Sequence, residues 1–350
     1  MTKNIFALSA LALTLGFSAC DTKIEPIEVV SPKAPINSEL FREFKASAES
    51  RSAVLAMHYD WRARSINSLM NLPDSLDAVV LKNDWQEPYS EFYLKDIDDV
   101  RTIKHTRVFA SVDLPSLVKS TERAIKADFR SKKNEFEASW DDAAHADDPD
   151  AKKKALADLE ASVRKTHIAS ANESASKLIT DALAAADKYM DGVSLEMPRD
   201  TAVFSIAACK ALLAQITAAK ATNPKLRYIV ENPFSELSAD FASATWAVYH
   251  NSADPKYSLL ESTAKAWSAA SFVPGIDISS KKDVDGFADS PFFDPNGAIP
   301  LTIDIINFKA PNKAGVAYYH TETKASEYEG VYNYPSLRKL INYNARKNSL

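Results

Sequence analysis

The chain is 350 residues long, 46% hydrophobic and 25% charged, with 42 Lys and Arg against 47 Asp and Glu for a formal net charge of −5. That is the balance of a globular protein, and it leaves no basic footprint for nucleic acid. Glycine is scarce at seven residues, while alanine is abundant. Glycine serves tight turns and close backbone approach to phosphates, and alanine is the best helix former. The composition therefore predicts a mostly α fold and argues against Rossmann, P-loop and β-barrel architectures.

The chain opens on a short basic start, Met1-Thr2-Lys3, followed by an apolar run from Ile5 to Phe17 and the small residues Ser18 and Ala19. This is the pattern of a secretory signal peptide. Phe17-Ser18-Ala19-Cys20 resembles the lipobox of bacterial lipoproteins, with Phe17 where that family more often has Leu. The resemblance covers the leader alone. It implies that residues 1–19 are removed and that Cys20 is acylated as the mature N-terminus. The protein would then be lipid-anchored in a bacterial cell envelope, since two or more acyl chains hold a protein stably to a bilayer. With Cys20 acylated, Cys209 is alone and the mature chain has no internal disulfide. No later stretch reaches the ~20 apolar residues of a membrane-spanning helix. Residues 20–37, with Pro26, Pro32 and Pro35, read as an extended tether, and 38–350 as a single mostly helical domain.

Asn37 or Ser38 can cap a first helix, in which Phe41, Phe44, Ala48, Leu55, Tyr59, Ile66 and Leu69 recur at spacings near three and four until Pro73. Ala78 to Leu81 and Thr106 to Val112 have strand character. Helical spacing returns from Leu117 to Trp140. Asp148-Pro149 is a strong helix start, and the next helix runs to about residue 191, with Gly192 as its C-cap. These two helices predict a long antiparallel hairpin over 115–192, on the order of 60 Å long at 1.5 Å per residue. Residues 201–221 are apolar most of the way round, which predicts a buried central helix carrying an inert Cys209. Further helices are expected over 235–250 and 256–272. A β-containing part follows over 299–334, with strands at 300–309 and 315–323, and Ser336 can cap a final helix.

Chemistry-bearing motifs are few. The six histidines are scattered, and the chain has no His-Glu-x-x-His, no Cys-x-x-Cys and no nucleophile elbow. Ser116-Leu117-Val118-Lys119 has the spacing of a Ser-x-x-Lys nucleophile but lacks its companion motifs. No catalytic residues are assigned and no cofactor is called for. Asp283, Asp285 and Asp289 form an acidic loop that could hold a cation, although the EF-hand spacing fails at its Glu position. Aromatic residues crowd the last third. If a ligand cleft exists, the pattern places it between the 246–267 helices and the C-terminal hairpin, with His250, Trp267, Tyr318 and His320 as its lining. The leading expectation is a non-enzymatic binding or interaction protein, whose projecting hairpin meets a protein partner in the envelope. The alternative is an envelope enzyme or small-ligand binder that uses the aromatic and acidic C-terminal third.

Overall fold

The structure, a computed structural model, describes residues 39–141, 148, 150–250, 256–279, 301–329 and 332–348. The described residues belong to one compact unit. Eight parallel strands, each bonded to the next in chain order, close into a barrel. They are β1 (Ala53–His58), β2 (Ala78–Leu81), β3 (Arg107–Asp113), β4 (Gly192–Glu196), β5 (Arg227–Glu231), β6 (Trp246–Tyr249), β7 (Phe272–Asp277) and β8 (Gly315–Tyr319). The seam pairs β1 with β8, setting Ala53 against Gly315 and Met57 against Tyr319. The mostly α, helical-body expectation is thereby overturned: the core is a β/α barrel and the helices lie outside it.

The misread strands share one physical cause. A parallel strand in a barrel is buried on both faces, so it reads as a continuous apolar run without alternation. β1 is Ala-Val-Leu-Ala-Met-His, buried at every position. Its Leu55 and the flanking aromatic residues fell by chance on a helical spacing. The helix expected from residue 38 to Pro73 is in fact α1 (Glu39–Ala46), a turn and a strand. Likewise 235–250 is a 3-10 turn at Ser235–Leu237 followed by β6, and 300–309 contains a helix, α7 (Leu301–Asn307). The stretch 315–323 supplies β8, a parallel barrel strand and not half of a hairpin. Scarce glycine does not exclude this barrel, because its interior is filled by side chains. Where a strand needs glycine it has one: at Gly192 an added Cβ would lie 2.1 Å from the carbonyl oxygen of Arg227 on the neighbouring strand.

The outer layer is incomplete. Helix α2 (Glu91–Thr102) follows β2, while α3 (Leu114–Ser139) and α4 (Ala151–Lys188) together join β3 to β4. These two long helices pack on each other, so the hairpin is an excursion from the β3–β4 connection and not the body. Helix α5 (Ile206–Thr222) buries Cys209, Leu212, Leu213 and Ile216 in the outer layer and not at the centre of the fold. Helices α6 (Tyr257–Ala266) and α8 (Pro335–Asn348) follow β6 and β8. The links β1–β2 and β5–β6 carry 3-10 turns alone.

Inside the barrel, Leu55, Met57, Val80, Phe109, Ile229, Trp246, Val248, Val273 and Ala317 form a second apolar cluster. Ala48, just after α1, belongs to the same cluster and closes the end where the strands begin. Glu49 next to it pairs with Arg107 and Arg227 at 2.9 and 2.8 Å, at the first residues of β3 and β5. Buried Lys45 donates to Leu76 O and Thr106 Oγ1, and burial pulls its pKa down to about 7. Residues 45–49 therefore plug one end of the barrel, which leaves the other end as the place for a site.

Candidate functional site

Side chains alternate along a strand, so every second residue faces the barrel axis. At the C-terminal end of the barrel that rule brings together Tyr59, Lys82, Asp113, Glu196, Glu231, His250, Asp277 and Tyr319, one from each strand or the residue just beyond it. All eight are polar, although the interior below them is largely apolar. In β/α barrels this face is where ligands bind and chemistry occurs.

The centre of the layer is Lys82. Its Nζ donates to Glu231 Oε1 at 2.8 Å, to Glu231 Oε2 at 2.9 Å and to Glu196 Oε2 at 2.8 Å. Ser194 Oγ donates to Glu231 Oε1 and the Tyr319 hydroxyl to Glu231 Oε2, both at 2.7 Å. Glu231 is fully buried, whereas the Glu196 side chain keeps 18% of its exposure. Burial on its own would lower the Lys82 pKa, but attraction by Glu196 and Glu231 overcomes it and holds the ammonium well above its usual range. Burial raises the Glu196 carboxyl above the ordinary carboxylate value, and Lys82 opposes it only in part. Burial and then the charge of Glu231 raise Tyr319, which stays a phenol and a donor.

Tyr319 can lie across the mouth because β7 has a glycine beneath it. A Cβ on Gly275 would sit 2.7 Å from the Tyr319 ring and 3.0 Å from His250 Cβ. His250 stacks on Tyr319 with centroids 4.2 Å apart. Its backbone N–H donates to Asn232 Oδ1, and its Nε2 is buried without a hydrogen-bond partner. Burial pulls the imidazole down to about 4, so it is neutral at ordinary pH. Ser111 Oγ, on β3, is also buried and unpartnered. On the other side of Tyr319, His320 stacks on Tyr59 at 4.1 Å. The loops leaving β1, β2, β5 and β8 each carry a non-glycine residue at positive φ, namely Asp60, Asp84, Asn232 and His320. Such residues are uncommon and concentrate at functional sites.

Of the residues singled out by aromatic crowding, His250 and His320 stand at this mouth. Trp267 and Tyr318 do not: both are buried in the outer apolar layer, Trp267 against Phe241 and Tyr249. Asp283, Asp285 and Asp289 lie outside the described residues, as does Cys20. Among the described residues no group of three or more His, Cys, Asp or Glu is placed to hold a metal ion. Sequence reasoning missed Lys82, Glu196 and Glu231. The available signal was a recurring one: Val-Val-Leu-Lys, Val-Ser-Leu-Glu and Tyr-Ile-Val-Glu are apolar runs each ending on a charge. No protein-family model matches the chain, and no curated protein matches it.

Proposed function

We propose that this protein is a lipid-anchored component of a bacterial cell envelope that binds a neutral, hydroxyl-rich ligand of the carbohydrate class at its barrel mouth without hydrolysing it. The observation that carries the reading is the self-contained Lys82–Glu231 network, with Glu196 as its outward-reaching member. Two bonds of 2.8 Å to one nitrogen keep the two carboxylates within twice that distance. Carboxylates this close suit glycosyl-transfer chemistry when one is a free nucleophile and the other an acid. Here Glu231 receives Lys82, Ser194 and Tyr319 on its two oxygens and is sealed from solvent, so no lone pair is free for attack or proton abstraction. What remains is a floor in which Lys82 and Glu231 are satisfied by one another, with Glu196 to accept hydroxyl hydrogen bonds and aromatic rings beside it. Sugars present both hydroxyl donors and apolar C–H faces, which such a floor matches.

The envelope location rests on the lipobox-like leader. Among the described residues no helix is long and apolar enough to cross a membrane. The test is an array of immobilised neutral oligosaccharides probed with the full-length Cys20→Ser protein. The expected result is selective retention that Glu196→Ala abolishes, with the retained glycan recovered intact by mass spectrometry. Retention of no glycan, equal retention by Glu196→Ala, or cleavage of the glycan would refute the reading.

A further inference from the structure

The loop that leaves β8 is fastened to the end of β1 by side chains. Thr321 Oγ1 is 2.9 Å from His58 Nδ1, and Glu322 Oε2 accepts the backbone N–H of Tyr59 at 3.0 Å. His320 stands at the root of this loop in a left-handed conformation with φ 58°. Its ring lies flat on Tyr59, with an interplanar angle of 13°. Its two nitrogens face two different carboxylates: Nδ1 is 3.3 Å from Glu322 Oε1, and Nε2 is 3.8 Å from Asp277 Oδ2 at the end of β7. A neutral imidazole carries one N–H, so one of its nitrogens would turn a lone pair toward a carboxylate. The imidazolium has a proton for each and gains from lying over an aromatic face.

We propose that protonated His320 is a latch that ties β7, β8 and β1 together at the mouth, and that the latch releases as pH rises, making this rim of the site pH-regulated. The regulatory meaning rests on the mouth being a ligand site; the latch itself does not. The groups that face His320 are Tyr59 and Asp60 beyond β1, Asp277 on β7, Glu322 on its own loop, and His250 beyond β6. His58 faces the same loop through Thr321 and is held below its ordinary value by burial. The bond to Glu322 raises His320 first, against burial, with Asp277 adding to it, so its pKa stands above the ordinary 6.5. For a group raised on folding, the stabilisation is fully present below the unfolded value and is lost as pH rises through the folded one.

The experiment is amide hydrogen exchange of the full-length Cys20→Ser protein, reading the Tyr59 N–H that Glu322 holds and the 320–325 backbone. Protection factors, corrected for intrinsic exchange, are compared from about pH 6 to about pH 9, the range that crosses a raised histidine pKa. In the unmodified sequence the Tyr59 protection should fall about tenfold, the scale of one charge-assisted hydrogen bond. In His320→Gln it should be low and flat. Glu322→Gln, which keeps an acceptor for Tyr59 but removes the charge, should also flatten it. A flat profile without substitution, or the same fall in His320→Gln, would overturn the latch. No ligand enters the measurement, so its outcome is independent of what the oligosaccharide array returns.

Discussion

Replacing Lys82 with Met removes the ammonium that bridges Glu196 and Glu231 at the barrel mouth. At an effective dielectric constant of about 20, a charge pair at this separation is worth about 6 kcal/mol, and Lys82 makes two such pairs, set against the desolvation of three charged groups. The intact cluster is therefore close to break-even, but removing one member is not. Glu231 is then buried with only Ser194 and Tyr319 as donors, beside a second carboxylate. Breaking a buried pair in this way typically costs about 3–5 kcal/mol, and that is the loss expected for Lys82→Met near pH 8 by chemical denaturation. The loss must shrink on acidification. Burial and the charge of Glu231 raise the Glu196 carboxyl, and without the lysine nothing in the pair opposes them, so Glu196 stabilises the fold once protonated and loses that contribution as pH rises. Near pH 5 the deficit should be visibly smaller, and Glu231→Gln added to Lys82→Met should recover part of it near pH 8. A deficit below about 1 kcal/mol, or one that does not change with pH, would show that water reaches the cluster and that the closed-network argument is wrong.

Three further outcomes can be measured. Gly275→Ala pushes a methyl group against Tyr319 and His250, and should cost roughly 1–3 kcal/mol in denaturant unfolding; an unchanged midpoint would mean that the Tyr319–His250 stack is not confined. Burial holds His250 near 4, below its ordinary 6.5. A group depressed on folding stabilises above its unfolded value and loses that contribution as pH falls through the folded one, so the stability lost between about pH 6.5 and about pH 4 should be smaller in His250→Gln; an identical acid limb would contradict this. Cys20→Ser should release the protein from membranes in a fractionation assay, and continued retention would refute lipid anchoring as the sole attachment.

Some of this molecule is legible in its residues alone. The long helices α3 and α4 could be located because they are exposed along most of their length, so their buried positions, such as Ile125, Val163 and Ala171, recur at helical spacing. Strand character showed at Ala78–Leu81 and around Val112, where β2 and β3 stand, but the barrel was not legible, because burial on both faces erases the alternation that marks a strand: Ala-Val-Leu-Ala-Met-His of β1 and Trp-Ala-Val-Tyr of β6 show none. Position relative to the core was also lost. The apolar surface of α5 says that the helix is covered, but not whether it is the centre or a layer around a barrel. The site lay furthest from sequence reasoning. Lys82, Glu196, Glu231 and Tyr319 are separated by tens to hundreds of residues, and each alone reads as a charge or phenol after an apolar run. Sequence determined the apolar runs, the helices on exposed faces and the polar residue that ends each strand. Closure of β8 onto β1 decided that those strand ends form one layer, and only inside that layer is a lysine held between two glutamates out of water.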